Sequence, residues 1–163
     1  MLPIRKLVGA TDFSIAGFPA VVTAGELAAH FGAEFILVHV LAPAPMPPMV
    51  PSERMATMPS SAEMEKYERD AEQQSREDLE RLVSEKLPSG LACRTVVMAG
   101  APAETIVSLA EKEAADLIVI ATHGRTGWRR LAFGSVAEKV IRTANRPVLV
   151  VPSPSRAQDG SRP

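Results

Sequence analysis

The sequence predicts an α/β protein, with a single doubly wound, five-stranded parallel sheet covered by helices on both faces. Three observations predict it. Short β-branched runs recur along the chain, each nearly free of polar residues, as a strand buried on both faces requires. Segments of helical periodicity fall between those runs, at the spacing of right-handed βαβ crossovers. Aromatic residues make up only 4% of the chain, so the core must come from Val, Ile, Leu and Ala, the palette of parallel strands under Ala-rich helices.

The expected strands are Ile4 to Gly9, Phe35 to Val40, Arg94 to Met98, Leu117 to Ile120 and Val148 to Val151. The first helix is expected over Phe18 to Phe31, with an apolar stripe of Phe18, Val21, Val22, Ala28 and Phe31. Pro19 falls in its opening turn, where a missing amide is tolerated, and Gly32 is a natural stop. A second helix runs from about Ala62 to Leu87. It is highly charged, yet Met64, Tyr67, Ala71, Leu79, Leu82 and Val83 return at three- or four-residue steps, which reads as a one-faced surface helix. Pro102 opens a third helix, to about Ala114. The fourth begins at Ser135 and ends near Asn145, a residue that tolerates a left-handed cap.

At 163 residues the chain fits one domain, expected over 1–152. Within it, 42–61 holds six prolines and four methionines, too proline-rich for helix or central strand, and reads as a long loop that covers the sheet edge or a ligand, or meets a partner. Residues 153–163 are polar and read as a flexible tail.

A formal net charge of −1 exerts no long-range pull on nucleic acid or an anionic membrane, so neither is expected as a partner. Cys93 is the only cysteine, which excludes an intrachain disulfide and suits a reducing compartment. The first residues lack the apolar run of a signal peptide, and no stretch reaches the ~18 apolar residues of a membrane helix. A cytoplasmic location is the expectation.

The chemistry concentrates in residues 120–138, IATHGRTGWRRLAFGSVAE. This stretch leaves a buried strand, crosses a loop rich in Gly and Arg, and enters a helix at Gly134-Ser135. Ligands of open α/β sheets sit beyond the carboxyl ends of strands, where this loop lies. A helix N-terminus offers free amides and the positive end of a dipole, which attract phosphate. Gly124 and Gly127 permit a tight phosphate-wrapping turn, and Gly134 lets an anion approach the backbone. Arg125, Arg129 and Arg130 supply guanidinium charge. A second reading stands beside this one: Ser135 and Glu138 also fit a capping box, S-x-x-E, which needs no ligand.

Other candidates divide the same way. Asp12, beside Ser14, either lines the site or caps the first helix. His123 either donates to a phosphate or orders the loop, while His39 reads as a satisfied core histidine. Trp128 is either a contact residue or a packing one. The histidines and the cysteine have no metal-ligand spacing. Neither a Walker motif nor a G-x-S-x-G elbow is present, and no base is placed to activate water, so at most slow ATP hydrolysis is expected.

Residues 121–135 read A-x2-G-x9-G-S. This resembles the G-x2-G-x9-G-(S/T) of ATP-binding universal stress proteins, with Ala121 standing at the first glycine. The resemblance extends over about 4–151, through Leu7 to Ser14, Gly32 to Val40, Gly100 to Pro102, Ala115 to Gly124 and Arg146 to Pro152. It implies a regulatory protein that binds an adenine nucleotide as a switch. The ligand is ATP, with Mg2+ able to accompany it, or AMP or another adenine nucleotide. Ala10, Thr11 and Asp12 would lie near the adenosine and Val40 would meet the base. Ala121, His123, Gly124, Arg125, Gly127, Arg130, Gly134, Ser135 and Val136 would surround the rest. It also implies a homodimer through the 148–151 strand, whose apolar edge needs cover, and a further, unspecified protein partner. Two rivals remain: a dimeric interaction protein without nucleotide, and a weak hydrolase.

Overall fold

A computed structural model describes residues 3–43, 60–122 and 134–153. The elements run β1 (Lys6–Ala10), α1 (Phe18–Phe31), β2 (Glu34–Leu41), α2 (Ser61–Lys86), β3 (Cys93–Ala99), α3 (Pro102–Lys112), β4 (Leu117–Ala121), α4 (Ser135–Thr143) and β5 (Val148–Val151). They form the expected sheet, in order β3-β2-β1-β4-β5, with every neighbouring pair parallel.

Side chains alternate across a strand, so each strand feeds two cores. On one face Val8, Ile36, Val38, Ile118 and Ile120 pack with Ile106 and Ala110 of α3 and with Ala137 and Val140 of α4. On the other, Leu7, Phe35, Leu37 and Val119 meet Val21, Ala24 and Ala28 of α1 and Leu79 and Leu82 of α2. Both alternating sets are apolar, which is why these strands read as unbroken apolar runs. At Gly9 the Phe35 ring crosses so closely that a Cβ would lie 2.7 Å from Cε2, so this strand position requires glycine.

Several element ends differ from expectation. β1 begins at Lys6, two residues late. α1 has the expected bounds, with Pro19 in its first turn and Gly32 closing it at φ 62°. α3 stops at Lys112. α4 ends at Thr143 on extended backbone. Asn145 is not among the left-handed residues; its amide instead donates to Glu111 Oε1 at 2.9 Å, tying α4 to α3. The stripe expected along α2 is only half used. Leu79 and Leu82 are buried, while Met64 and Tyr67 stay exposed. A helix of 26 residues is about 39 Å long, which outruns the strands it covers. Its start carries a capping box that the sequence reading passed over: Ser60 Oγ accepts from Glu63 N at 3.3 Å and Glu63 Oε2 from Ser60 N at 2.8 Å. Among the described residues no helix is long and apolar enough to cross a membrane.

At the amino ends of the strands four charges interlock. Lys6 Nζ lies 3.1 Å from Glu34 and 3.4 Å from Glu113, and Arg94 Nη2 lies 2.7 Å from Glu113. The hydrogen bond from Arg94, aided by Lys6, holds the Glu113 carboxyl below its usual range. A depressed carboxyl contributes stability above its unfolded pKa and loses it as pH falls through the folded one. Glu113→Gln is therefore expected to be less stable than wild type at neutral pH, with the gap closing toward about pH 3. Urea denaturation midpoints at the two pH values measure it.

Candidate functional site

From β1 the chain steps to β2 on one side, and later returns to β4 on the other. The helices that follow β1 and β4 lie on opposite faces, α1 on one and α4 on the other. In sheets wound this way, the carboxyl ends of the two strands where the paths part are the place where ligands bind.

The β1 side is built from a knotted turn. Thr11 N donates to Val38 O at 3.0 Å as the chain leaves the sheet. The Thr11 hydroxyl oxygen then accepts from Phe13 N at 3.0 Å. Phe13 sits at φ 60°, left-handed backbone that costs a non-glycine residue about 1–3 kcal/mol and persists only where surroundings enforce it. Its ring lies 4.4 Å from that of His39, tilted by 38°. Asp12 Oδ1 accepts from Ser14 N at 3.0 Å and Ser14 Oγ at 2.6 Å, and Ser14 Oγ accepts from Gly17 N at 3.1 Å. Gly17 is the N-cap of α1, with no side chain bonded there as a cap. Asp12 therefore does not cap α1 itself; it holds the turn that delivers the chain into that helix.

The β4 side hangs on Thr122, which the sequence reading missed. Thr122 N donates to Val151 O at 2.9 Å, its hydroxyl oxygen accepts from Ser153 N at 3.0 Å, and its carbonyl accepts from Gly134 N at 2.8 Å. One residue thus ties β4 to the end of β5 and to the start of α4. The available signal was a polar residue directly after an apolar strand.

At α4 the two readings of Ser135 separate. Gly134 is the N-cap, and no side chain among the described residues caps the helix. Ser135 is already inside, so the S-x-x-E box does not form. Glu138 Oε1 turns instead toward Arg142, at 3.4 Å. The Gly134 amide is taken by Thr122, and the first intrahelical bond runs from Glu138 N to Gly134 O at 2.9 Å. The amides of Ser135, Val136 and Ala137 precede that bond and meet no acceptor among the described residues.

Ala10 and Ala121 end β1 and β4, while Val40 lies near the end of β2, opposite Met98 of β3. The structure thus gathers Ala10, Thr11, Asp12, Ala121, Gly134, Ser135 and Val136 at the carboxyl ends of β1 and β4, with Val40 one strand over. His123, Gly124, Arg125, Gly127 and Arg130, with Trp128 and Arg129, lie outside the described residues, as do 44–59 and the tail beyond 153. Among the described residues no His, Cys, Asp and Glu cluster suits a metal. Burial pushes the Cys93 thiol up to about 11, so it is no thiolate nucleophile at neutral pH. A depression of about 350 Å³ lies at the opposite end of the sheet, with Ala28, Gly32, Glu34 and Leu91 in its walls. Among the described residues that line it Glu34 is the one charge, and the wrong sign for a phosphate.

A doubly wound parallel sheet of this kind defines a class of α/β proteins whose ligands sit at the carboxyl ends of the strands. Comparison with known proteins is specific. The sequence matches the universal stress protein family over residues 3–152. Universal stress protein MJ0531 of Methanocaldococcus jannaschii is 34% identical over 152 residues, 93% of this chain and 84% of the relative. The chain belongs to the universal stress protein family. The structure of MJ0577, from the same organism, superposes with a TM-score of 0.71 at 26% identity, covering 94% of this chain and 99% of that one. A universal stress protein of Archaeoglobus fulgidus solved in complex with dAMP shares the fold, at a TM-score of 0.57 and 22% identity, over 91% of this chain and 98% of that one.

Because one Asp12 oxygen takes two donors, its loss should be felt in the turn. Asp12→Ala is expected to lower stability by about 1–2 kcal/mol. Asp12→Asn keeps an acceptor oxygen and should lose less than half of that. Urea denaturation of the two variants beside wild type checks the ranking.

Proposed function

We propose that this chain is a regulatory protein that binds an adenine nucleotide, ATP, in the crevice between β1 and β4. The observation that carries the reading is the start of α4. Three consecutive amides, of Ser135, Val136 and Ala137, stand before the first intrahelical bond, and no side chain among the described residues caps them. Thr122 anchors that helix end to the tip of β4. Free amides at the positive end of a helix dipole suit a phosphate chain. Arg125 and Arg130, with Gly124, Gly127 and His123, belong to the loop that would close around the phosphates in this reading, and Mg2+ would enter as their counter-ion. Asp12 and Thr11 would flank the ribose, and the backbone of Val40 would meet the base. That a family member is described in complex with dAMP supports an adenine nucleotide as the ligand class.

In this reading the bound nucleotide acts as a switch rather than a substrate for dedicated turnover, since the sequence carries neither a Walker motif nor a G-x-S-x-G elbow. β5 supports a dimer in the same reading. It is an edge strand whose Leu149 is 36% exposed, and α4 adds Val136 at 36% and Ile141 at 41%. Pairing with a second β5 would cover that edge. One observation favours a rival, a dimeric interaction protein that takes no nucleotide: Ala121 puts a methyl group where the ATP-binding pattern has glycine.

Gly134→Glu separates the two. It sets a carboxylate against the phosphate position on a residue whose backbone is extended, at φ −62° and ψ 152°, so folding should survive. The expected result is a wild type that binds ATP in calorimetric titration, and a folded variant whose affinity falls at least about a hundredfold. Equal affinity of the two proteins for ATP would refute the location; a wild type that takes up no nucleotide would favour the rival.

A further inference from the structure

His39 does more than fill the core. Along β2, even-numbered residues turn their amide and carbonyl toward β1, and odd-numbered ones toward β3. Glu34 N donates to Arg5 O at 2.9 Å and Thr11 N to Val38 O at 3.0 Å, whereas Phe35 N donates to Ala92 O and Gly100 N to Leu41 O. The next rung toward β1 would run from Val40 N to the carbonyl of Thr11. That rung does not form among the described residues. The Thr11 carbonyl is occupied by a side chain instead, with His39 Nδ1 at 2.8 Å. A carbonyl can only accept, so Nδ1 carries the proton. His39 is 8% exposed, and its ring is held against Phe13 at 4.4 Å.

The imidazole therefore substitutes for a rung of the ladder. It satisfies the Thr11 carbonyl off the sheet, on the α1 side, where Phe13 and the turn lie. The amide and carbonyl of Val40 remain facing the end of β1 as an adjacent donor and acceptor. Adenine presents the complementary pair, an acceptor at N1 beside a donor at its amino group; guanine presents the reverse, a donor at N1 beside an acceptor at O6.

We infer that His39 is the positioning residue for base selectivity: by taking the Thr11 carbonyl through Nδ1, it keeps the Val40 peptide edge open to read adenine over guanine. The inference rests on the nucleotide reading above and adds to it the element that selects the base. Nothing in it requires His39 to touch the ligand.

Calorimetric titration of ATP, GTP and inorganic triphosphate into the full chain tests it, using wild type, His39→Asn and His39→Gln. The Asn amide nitrogen occupies the place of Nδ1 and retains the bond to Thr11; the Gln amide nitrogen stands nearer the place of Nε2 and does not. Both are neutral amides in the same buried position, and urea denaturation midpoints of the three proteins separate a loss of folding stability from a loss of base preference. The expected result is a preference of wild type and His39→Asn for ATP over GTP that shrinks about tenfold in His39→Gln, with triphosphate affinity equal in all three. A ratio in His39→Gln equal to that of wild type overturns the inference and leaves the nucleotide site standing. Equal loss of the ratio in both variants overturns it as well. Failure of wild type to bind either nucleotide removes the site and the inference together.

Discussion

Burying a parallel sheet on both faces is the constraint from which the rest of this molecule follows. Parallel neighbours cannot be joined by hairpins, so every connection must cross a face, and the apolar strand surfaces require those crossings to be helices. With β1 in the centre and the chain departing to opposite sides of it, α1 and α4 must cover opposite faces. Where the two paths part, the tips of β1 and β4 lie side by side between helices on opposite faces. This place is a consequence of winding, and the residues around it, not the fold, determine what it can hold.

Those residues share one device, in that side chains take over bonds the regular structure leaves unmade. Thr122 catches the amide of Gly134 and the backbone of Ser153, so α4 starts at a fixed place. Asp12 and Ser14 carry the chain from β1 to α1 without capping the helix. His39 takes the carbonyl that the β1–β2 ladder drops. Each fixes backbone at the rim, where the peptide groups of Val40 on one side and the amides of Ser135 to Ala137 on the other meet no partner among the described residues. Phe13, held at φ 60°, is the strained member of this rim, and its ring contact with His39 shows where the enforcement comes from.

The strands and helices were legible because burial on two faces writes an uninterrupted apolar run, and a covering helix writes a stripe at three- and four-residue steps. Their ends were less so. α2 displays its periodicity well past the region where the sheet can bury it, which sequence periodicity alone does not reveal. The pattern S-x-x-E occurs at both Ser60 and Ser135, and only the first forms a capping box. At the second the chain enters through Gly134, which places Ser135 one residue inside the helix, and entry angle is not encoded in a four-residue pattern. The site was legible as a set of chain segments, while its internal bonds were not. His39 and Thr11 are 28 positions apart and Thr122 and Ser153 are 31 apart, so their pairing depends on the strand order.

The central claim, that a nucleotide lies across the carboxyl ends of β1 and β4 with its anionic end at the start of α4, is tested most directly by backbone amide chemical shifts followed through an ATP titration. The account predicts large shifts for Val40, Ser135 and Val136, with Ala29, Leu91 and Ala92 at the other end of the sheet unmoved. Unchanged shifts at the first three, or movement confined to the second three, would contradict it.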